Sequence, residues 1–247
     1  MHFFHHRIFS GALNREVWLD IRLPLQQPAV LLLVNDGQQL QEILPEMDIP
    51  VCIAGIHAGP ERRQEYGVAG IPDYQGQGAK AAAYTQFVME ELLPFLRTKY
   101  PVVTESRYAF AGFSLGGLSA FDIVWRHPET FSMAGVFSGS LWWRSHPLDE
   151  HYNEHEHRIM HRVIREGTFK PGMQFFFECG TADETADRNH NGIIDSIDDT
   201  LDLIQELNDK GYRMNTDIHY LEIPDGRHDA ETWKIAIGAF LRLGYFV

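Results

Sequence analysis

Apolar residues cluster in seven short segments that predict β-strands. They cover residues 15–25, 29–35, 49–56, 108–113, 132–139, 173–180 and 216–223. The first segment alternates apolar and polar residues, whereas the later ones are continuously apolar, as strands covered on both faces are. Helix-like segments separate most of them, at residues 79–99, 115–126, 152–166, 197–210 and 229–242. The pattern predicts an α/β fold with a mostly parallel central sheet covered by helices on both faces, in one domain spanning residues 1–247.

Composition and net charge disfavour nucleic-acid binding, membrane insertion and a disulfide-bonded fold. The chain has 247 residues, of which 44% are hydrophobic, and a formal net charge of −13, which disfavours nucleic-acid binding. It contains no apolar run of membrane-spanning length and no secretory signal pattern at its start, so we expect a cytoplasmic protein without a membrane partner. Cys52 and Cys179 lie in strand-like segments, where reduced thiols pack as small apolar groups. No disulfide is expected.

The stretch AFAGFSLGGLSAF, residues 109–121, carries the most informative motif. Gly112 to Gly116 match G-x-S-x-G, with Ser114 between a strand-like and a helix-like segment. A nucleophile elbow holds its serine on a strained strand-to-helix turn and needs small neighbours, because backbone segments approach closely there. The motif therefore predicts Ser114 as a nucleophile. The alternative is a glycine-rich turn that packs tightly without chemistry.

A serine hydroxyl needs a base to accept its proton, and His228 is the best candidate. It follows the last strand-like segment in IPDGRHDAETW, where an Asp-Gly turn would expose it at the carboxyl end of the strand. His57 in GIHAG is the competitor, but the chain order of nucleophile, acid and histidine in α/β-hydrolases favours His228. We expect activity to rise with pH through a group near about 6.5, which an acidic partner would shift upward.

The acid of such a triad should follow the strand between the serine and the histidine. The stretch ECGTADE supplies Asp183, and Glu184 and Asp187 are close alternatives. Asp183 is preferred because it comes at the first turn after the strand. The other two stay open, and all three carboxylates have a second interpretation as parts of an acidic loop.

The oxyanion hole requires two backbone N–H groups, one of them from the residue after the nucleophile, which is Leu115. The other is expected in the loop VNDGQQL, where Gly37 lets the backbone turn and the N–H of Gln38 is the candidate donor. Asn35, Asp36 and Gly37 also form an ordinary turn sequence.

The chain resembles the esterase D-like family of α/β-hydrolases, which includes enterochelin, feruloyl and acetyl-xylan esterases. The stretches that carry the resemblance are LLLVNDGQ, CIAGIHAGPERRQEYG, AFAGFSLGGLSAF, VFSGSLWW, ECGTADE and PDGRHDAETW, together with the long helix ending EELLPFLRTKYPV. By matching position, the resemblance implies the α/β-hydrolase fold, with Ser114 as nucleophile, Asp183 as acid and His228 as base. SGSLWW is most similar to the enterochelin-esterase branch.

These observations predict a serine carboxylic-ester hydrolase that works through an acyl-enzyme and requires no cofactor. The resemblance implies a small-molecule ester, either a siderophore lactone or an acyl or feruloyl carbohydrate ester. Trp142 and Trp143 are candidates for the wall of the acyl or aryl pocket, and the alternative is that they cover the core. Arg62 is a candidate to meet a substrate carboxylate, and the alternative, which we prefer, is that it braces its loop through ion pairs. Two alternatives use the same motifs: an acyltransferase with the same triad, and a catalytically silent binding domain of the same fold.

The segment DRNHNGIIDSID, residues 187–198, matches an EF-hand-type calcium loop and is not part of the family pattern. Its candidate Ca²⁺ ligands are Asp187, Asn189, Asn191, the carbonyl of Ile193, Asp195 and Asp198. Aspartate replaces the usual glutamate at the twelfth position, so weak binding is expected. The alternative is a turn followed by a helix cap.

Overall fold

An eight-stranded sheet forms the centre of the computed structural model, which describes residues 3–27, 30–46, 49–104 and 106–246. The strands are β1 (Phe3–Ser10), β2 (Arg15–Arg22), β3 (Val30–Asn35), β4 (Val51–Ile56), β5 (Arg107–Phe113), β6 (Met133–Phe137), β7 (Gln174–Gly180) and β8 (Ile218–Ile223). Their order in the sheet is β1-β2-β4-β3-β5-β6-β7-β8. The pairs from β4 to β8 are parallel, and only β1 with β2 and β2 with β4 are antiparallel. The predicted mostly parallel sheet is confirmed.

Seven of the strands follow the predicted apolar segments, and β1 was not predicted. The segment predicted from residue 29 begins one residue outside the described range, and β3 starts at Val30. Strand β1 lies at the edge of the sheet and buries only its last residue, Ser10, completely. An edge strand with little buried surface does not require apolar residues. The sequence FFHHRIF therefore lacks the apolar pattern from which the other strands were predicted.

The helices cover both faces of this sheet. They are α1 (Leu40–Ile43), α2 (Arg62–Glu65), α3 (Ala81–Gln86), α4 (Leu93–Lys99), α5 (Leu115–Arg126), α6 (Glu154–His157), α7 (Ile159–Glu166), α8 (Asp195–Lys210) and α9 (Ala230–Phe240). A π-helical segment, Phe87–Leu92, joins α3 to α4, and short 3₁₀ turns cover Gly37–Gln39 and Pro101–Val103. Gly211 ends α8 with a positive φ of 111°, as its C-cap position predicts.

The predicted helix at residues 152–166 is two helices, because the backbone of Arg158 is extended between α6 and α7. The side chain of Arg158 is buried and forms ion pairs with Asp199 at 2.8 Å and Asp202 at 2.7 Å, both on α8. A buried guanidinium requires such partners. The break in the helix accompanies this inward turn.

Two apolar cores lie on opposite faces of the sheet. Phe110 and Phe177 belong to the core that α5, α7 and α8 cover, and Phe137 and Phe176 belong to the core that α1 and α9 cover. This two-sided cover explains why the inner strands are continuously apolar. Cys52 and Cys179 are both buried and unbridged, as expected. Among the described helices, none combines the length and the apolar character that crossing a membrane would require.

Candidate active site

Ser114 stands between the end of β5 and the start of α5, with φ of 53° and ψ of −125°. A non-glycine residue in this region of backbone space is strained, and such strain persists only where the surroundings impose it. The N–H of Ser114 donates to the carbonyl of Phe137 at 2.9 Å, and the N–H of Ser140 donates to the carbonyl of Ser114 at 3.1 Å. The predicted elbow geometry is present, and β6 with its following loop holds it.

The glycines of the motif are required by close backbone contacts. A Cβ at Gly112 would lie 2.4 Å from the carbonyl carbon of Gly116, and a Cβ at Gly116 would lie 2.7 Å from Oδ2 of Asp36. Neither position has room for a side chain. The second contact also brings the loop after β3 directly against the first turn of α5.

His228 follows β8 through a turn in which Asp225 has a positive φ of 57°. The loops after β7 and β8 are in contact, because the N–H of Ala182 donates to the carbonyl of Gly226 at 2.8 Å. A Cβ at Gly180 would lie 2.3 Å from that same carbonyl oxygen. This contact brings Asp183 and His228, which are far apart in sequence, to the same edge of the sheet.

Ser114, Asp183 and His228 line one cavity of about 290 Å³, which we call the central cavity. Its other lining residues are Ser138, Gly139, Ser140, Trp142, Glu184 and Ser196. The competing histidine, His57, is not among them, and its Nε2 lies 3.1 Å from Asp20 Oδ2 instead. The tertiary structure thus brings together the three residues that sequence reasoning selected.

The three candidate acids differ in their hydrogen bonds. Asp183 Oδ2 accepts the N–H of Gly180 at 3.2 Å, while Oδ1 is buried and has no hydrogen-bond partner in the described chain. Glu184 lines the central cavity as well. Burial raises the pKa of its carboxyl group, and the backbone N–H of Ser196 opposes the rise. Asp187 accepts backbone N–H groups of its own loop and does not line the cavity.

Desolvation lowers the pKa of His228, although the residue is exposed at the mouth of the cavity. The positive charge of Arg62 lowers it further, and Asp183 and Asp229 oppose the shift. The carboxylate of Asp183 acts upward on the pKa of His228, as expected, but desolvation outweighs it and the net shift is downward. Burial raises the pKa of Asp183, and donors on Ser138 and Gly180 together with the charge of His228 oppose the rise.

The candidate oxyanion loop is held rigidly beside the elbow. Asn35 Nδ2 donates to the carbonyl of Gly116 at 2.8 Å, and Asp36 has a positive φ of 58°. A Cβ at Gly37 would lie 2.4 Å from the carbonyl carbon of Gly55, so the loop also packs on β4. Gln38 and Leu115 both stand in the first turn of a helix, where backbone N–H groups have no partner within the helix.

Arg62 braces this loop. Its Nε and Nη2 donate to the two carboxylate oxygens of Asp36, each at 2.7 Å, and its guanidinium carbon lies 5.0 Å from the ring centre of Tyr66. Such a bidentate pair fixes both partners in one plane. Both oxygens of Asp36 are engaged by Arg62, so the alternative in which this arginine braces its loop through an ion pair is present in the structure, and a contact of Arg62 with substrate stays a prediction.

The two tryptophans have different surroundings. Trp142 lines the central cavity, whereas Trp143 is only 2% exposed and packs against Gly67 and Gly78. Their ring centres are 5.8 Å apart. Trp143 is a core residue that supports Trp142, so the expectation that it contacts substrate is corrected because its indole is buried.

Sequence reasoning missed the serines that line the central cavity. Ser140 Oγ lies 3.3 Å from Ser114 Oγ, and Ser138 Oγ accepts the indole N–H of Trp233 at 3.1 Å. Nearby, Glu178 is 1% exposed with no hydrogen-bond partner for its carboxylate in the described chain. Burial and the charge of Asp183 raise the pKa of Glu178 to about 8. A signal for the first two was available, since SGS follows β6, the strand next to the elbow strand.

The 187–198 loop adopts the turn that its sequence predicts, with Gly192 at a positive φ of 87°. Its side chains bond to one another: Asn189 and Asn191 donate to Asp198 at 2.9 and 2.7 Å. Asp195 instead accepts the N–H of Arg188 at 2.8 Å. Within the described ranges, no three His, Cys, Asp or Glu side chains come close enough to hold a metal ion. Calcium binding would therefore require Asp195 to leave Arg188.

Calcium binding by this loop stays a prediction. We expect calorimetric titration of chelator-treated protein to give a Kd on the order of 10⁻⁴ M, because an aspartate at the twelfth position reaches less far than a bidentate glutamate. Asp198→Asn should abolish the heat of binding, and Asp209→Asn, on an exposed turn of α8, serves as the matched control. If millimolar Ca²⁺ produces neither heat nor a change in melting temperature, the loop is only a turn and a helix cap.

Comparison with known proteins agrees with the resemblance inferred from the sequence. A family model described as Putative esterase matches residues 10–242. The structure of the enterobactin esterase from Shigella flexneri in the presence of enterobactin has a TM-score of 0.71 and 20% sequence identity, covering 98% of this chain and 58% of that chain. A ferulic acid esterase has a TM-score of 0.64 and 19% identity, covering 97% of this chain and 96% of that chain.

One curated relative is the siderophore triacetylfusarinine C esterase of Aspergillus fumigatus. It is 31% identical over 65 residues, which are 26% of this chain and 22% of that protein. This chain thus spans less than two thirds of the length of both this relative and the Shigella flexneri enzyme. At these identities the structural likeness establishes a shared fold.

Proposed function

Because this chain belongs to the Putative esterase family, we propose that it is a serine carboxylic-ester hydrolase in which Ser114, His228 and Asp183 act together. The observation that carries the proposal is the strained backbone of Ser114 at an elbow whose serine shares one cavity with both partners. A serine held in this conformation without a catalytic role would be an uncompensated cost. The close backbone contacts at Gly112 and Gly116 hold Ser114 in this strained conformation.

In the proposed reaction, neutral His228 accepts the proton of Ser114 as Oγ attacks the ester carbonyl. The carbonyl oxygen becomes an oxyanion, which the N–H groups of Gln38 and Leu115 stabilise. The protonated imidazole then gives its proton to the departing alcohol, leaving an acyl-enzyme. Water, deprotonated by the same imidazole, attacks the acyl carbonyl. The bond between the acyl carbon and Oγ then breaks, the carboxylic acid leaves, and the imidazolium returns its proton to Oγ of Ser114.

We assign the acid role to Asp183 because its Oδ1 is a buried acceptor without a partner in the described chain. That oxygen is available for the Nδ1–H of His228, and catalytic hydrogen bonds of this kind often tighten only when substrate is bound. Both carboxylate oxygens of Asp187 accept backbone N–H groups of their own loop, whereas only Oδ2 of Asp183 does so. Of the two carboxylates that line the central cavity, that of Asp183 is the one that acts on the pKa of His228.

For substrate, the names of similar proteins support an ester of a siderophore or of ferulic acid. Trp142 supplies an aromatic wall to the central cavity. A cavity of about 290 Å³ accommodates one acyl or aryl arm of such a molecule at a time.

A fluorophosphonate probe tests the proposal directly, because it labels only an activated serine. We expect one covalent label on Ser114, with a labelling rate that rises with pH through a single midpoint below about 6.5, the ordinary histidine value. The sign follows from the base: protonated His228 accepts no proton, and desolvation lowers its pKa. Mass spectrometry of the labelled peptide and a pH series of labelling rates provide the measurement.

His57→Ala is the matched control, since His57 pairs with Asp20 outside the central cavity, and it should leave the midpoint unchanged. Absence of label at every pH would identify a catalytically silent domain. A labelling rate that is flat between pH 5 and 8 would contradict His228 as the base.

A further inference from the structure

A second cavity of about 250 Å³ adjoins the central cavity, and Trp142 and Glu184 line both. We call it the side cavity; Arg144, Leu148 and Arg188 are also in its lining. Shared walls make the two cavities neighbouring parts of one cleft. A substrate whose ester lies at Ser114 therefore has space for a further arm beside Trp142.

The two arginines that line the side cavity differ in their ion pairs. Arg188 forms ion pairs with Glu154 at 2.7 Å, Asp195 at 3.2 Å and Asp199 at 2.6 Å. Of the two acidic residues in the lining, Asp195 is thus paired with Arg188, and Glu184 interacts with the backbone N–H of Ser196. Arg144 is the cationic lining residue without an ion-pair partner in the part of the chain described here, and its Nε is buried without an acceptor. The carboxylate of Glu184, on the wall shared with the central cavity, also forms no ion pair there.

Aromatic rings hold Arg144 in place. Its guanidinium carbon lies 5.6 Å from the ring centres of both Trp142 and Tyr74, and its carbonyl accepts the N–H of Tyr74 at 3.0 Å. Stacking of this kind keeps the guanidinium plane fixed while its N–H groups stay available. Because the Arg144 side chain is already ordered, less conformational entropy is lost when it binds a planar anion.

An arginine that serves packing alone would be expected to take a carboxylate partner in this chain. Asp and Glu number 34 against 21 Lys and Arg. Half-buried arginines elsewhere in the cleft region follow that rule, as Arg62 does with Asp36 and Arg188 with Glu154. Arg144 departs from it where the side cavity meets the central cavity.

We propose that Arg144 and Trp142 form a subsite for a planar, carboxylate-bearing arm of the ester substrate. The carboxylate pairs with the guanidinium of Arg144, and the planar part of the arm lies against the indole of Trp142. The inference rests on the proposed ester hydrolysis and adds to it the charge class of the substrate. The net charge of −13 does not oppose such an arm at this place, because the guanidinium of Arg144 supplies a local positive charge.

Two matched substrates test the subsite: the 4-nitrophenyl esters of 3-phenylpropanoic acid and of 3-(4-carboxyphenyl)propanoic acid. The wild-type protein should have a kcat/KM about 10- to 100-fold higher for the ester with the carboxylate, as a charge-assisted pair provides. Arg144→Gln should remove that preference mainly through KM, leaving the neutral ester within about threefold of wild type. Arg144→Lys keeps the charge without the planar fork and should retain part of the preference.

Arg213→Gln is the matched control, because Arg213 is exposed and pairs with Asp217 away from both cavities. It should leave the preference intact. Equal rates for the two esters in the wild type would overturn the subsite. So would an Arg144→Gln variant that loses activity equally on both esters, since that result indicates a structural role.

A binding measurement separates failure of the subsite from failure of the hydrolase. The Ser114→Ala protein is titrated calorimetrically with the methyl esters of the same two acids, with and without Arg144→Gln. Tighter binding of the carboxylate ester that depends on Arg144 supports the subsite even if no ester is hydrolysed. Equal binding of the two esters rejects it, whether or not hydrolysis occurs.

Discussion

Replacing Ser114 by alanine is expected to lower kcat for ester hydrolysis by about 10⁶-fold, because the nucleophile is lost. Replacing His228 by alanine should cost nearly as much, since an unassisted serine hydroxyl at neutral pH is a poor nucleophile. The double variant should be no more than about tenfold slower than either single variant, because the two groups act as one unit. Initial rates with a 4-nitrophenyl ester provide the measurement.

The Ser114→Ala variant should fold normally, because alanine is smaller than serine and the elbow's closest contacts involve glycines. Melting temperature and circular dichroism check this. His57→Ala is again the matched control and should retain activity, since His57 does not line the central cavity. Losses that add in the double variant would refute the pairing of Ser114 with His228.

Asp183→Asn is expected to lower kcat by about 10⁴-fold, because asparagine carries no charge to stabilise the imidazolium and favours the wrong tautomer of His228. A second readout follows from electrostatics. The negative charge of Asp183 raises the pKa of His228, so its removal should move the pH midpoint of the residual activity further down. Rates from pH 4 to 8 with one ester measure both effects.

Glu184→Gln is the matched control for this variant, because Glu184 lines the same cavity one residue further along the chain. Glu184→Gln should lower kcat by less than about tenfold. The backbone N–H of Ser196 acts on the pKa of Glu184, and Glu184 is not among the charges that shift the pKa of His228. A larger loss from Glu184→Gln than from Asp183→Asn would show that the acid assignment is wrong. Asp187→Asn should be nearly neutral for the same reason.

Local sequence was sufficient for the elbow. The residue types that permit the conformation of Ser114, the end of β5, the start of α5 and the glycines at Gly112 and Gly116, lie within a few residues of one another, although β6 and its following loop also hold the elbow. Backbone segments approach closely at an elbow, and only small residues fit there, so the sequence indicates the close approach. Helix α5 was predicted to the residue for the same reason.

The sequence did not predict features that depend on contacts between distant segments. Trp142 and Trp143 are identical in type and adjacent in sequence, yet one lines the cavity and the other is buried against Gly67 and Gly78. The break at Arg158 depends on Asp199 and Asp202, which lie in another helix. A pattern of hydrophobic residues does not specify which distant partner a side chain meets.

The sequence by itself determined the alternation of strands and helices, the elbow at Ser114, and the position of His228 after the last strand, because each depends on local periodicity or on turn chemistry. Only the tertiary structure decided which residues share the central cavity, that Arg62 braces the loop of Asp36, and that Arg144 lies beside Trp142 without an ion pair to any described residue. Those outcomes depend on the contact between the loops after β7 and β8 and on the packing of aromatic rings from separate segments. Charge and hydrogen bonding act through space, so the partner of a titratable group is set by the fold and not by its neighbours in sequence.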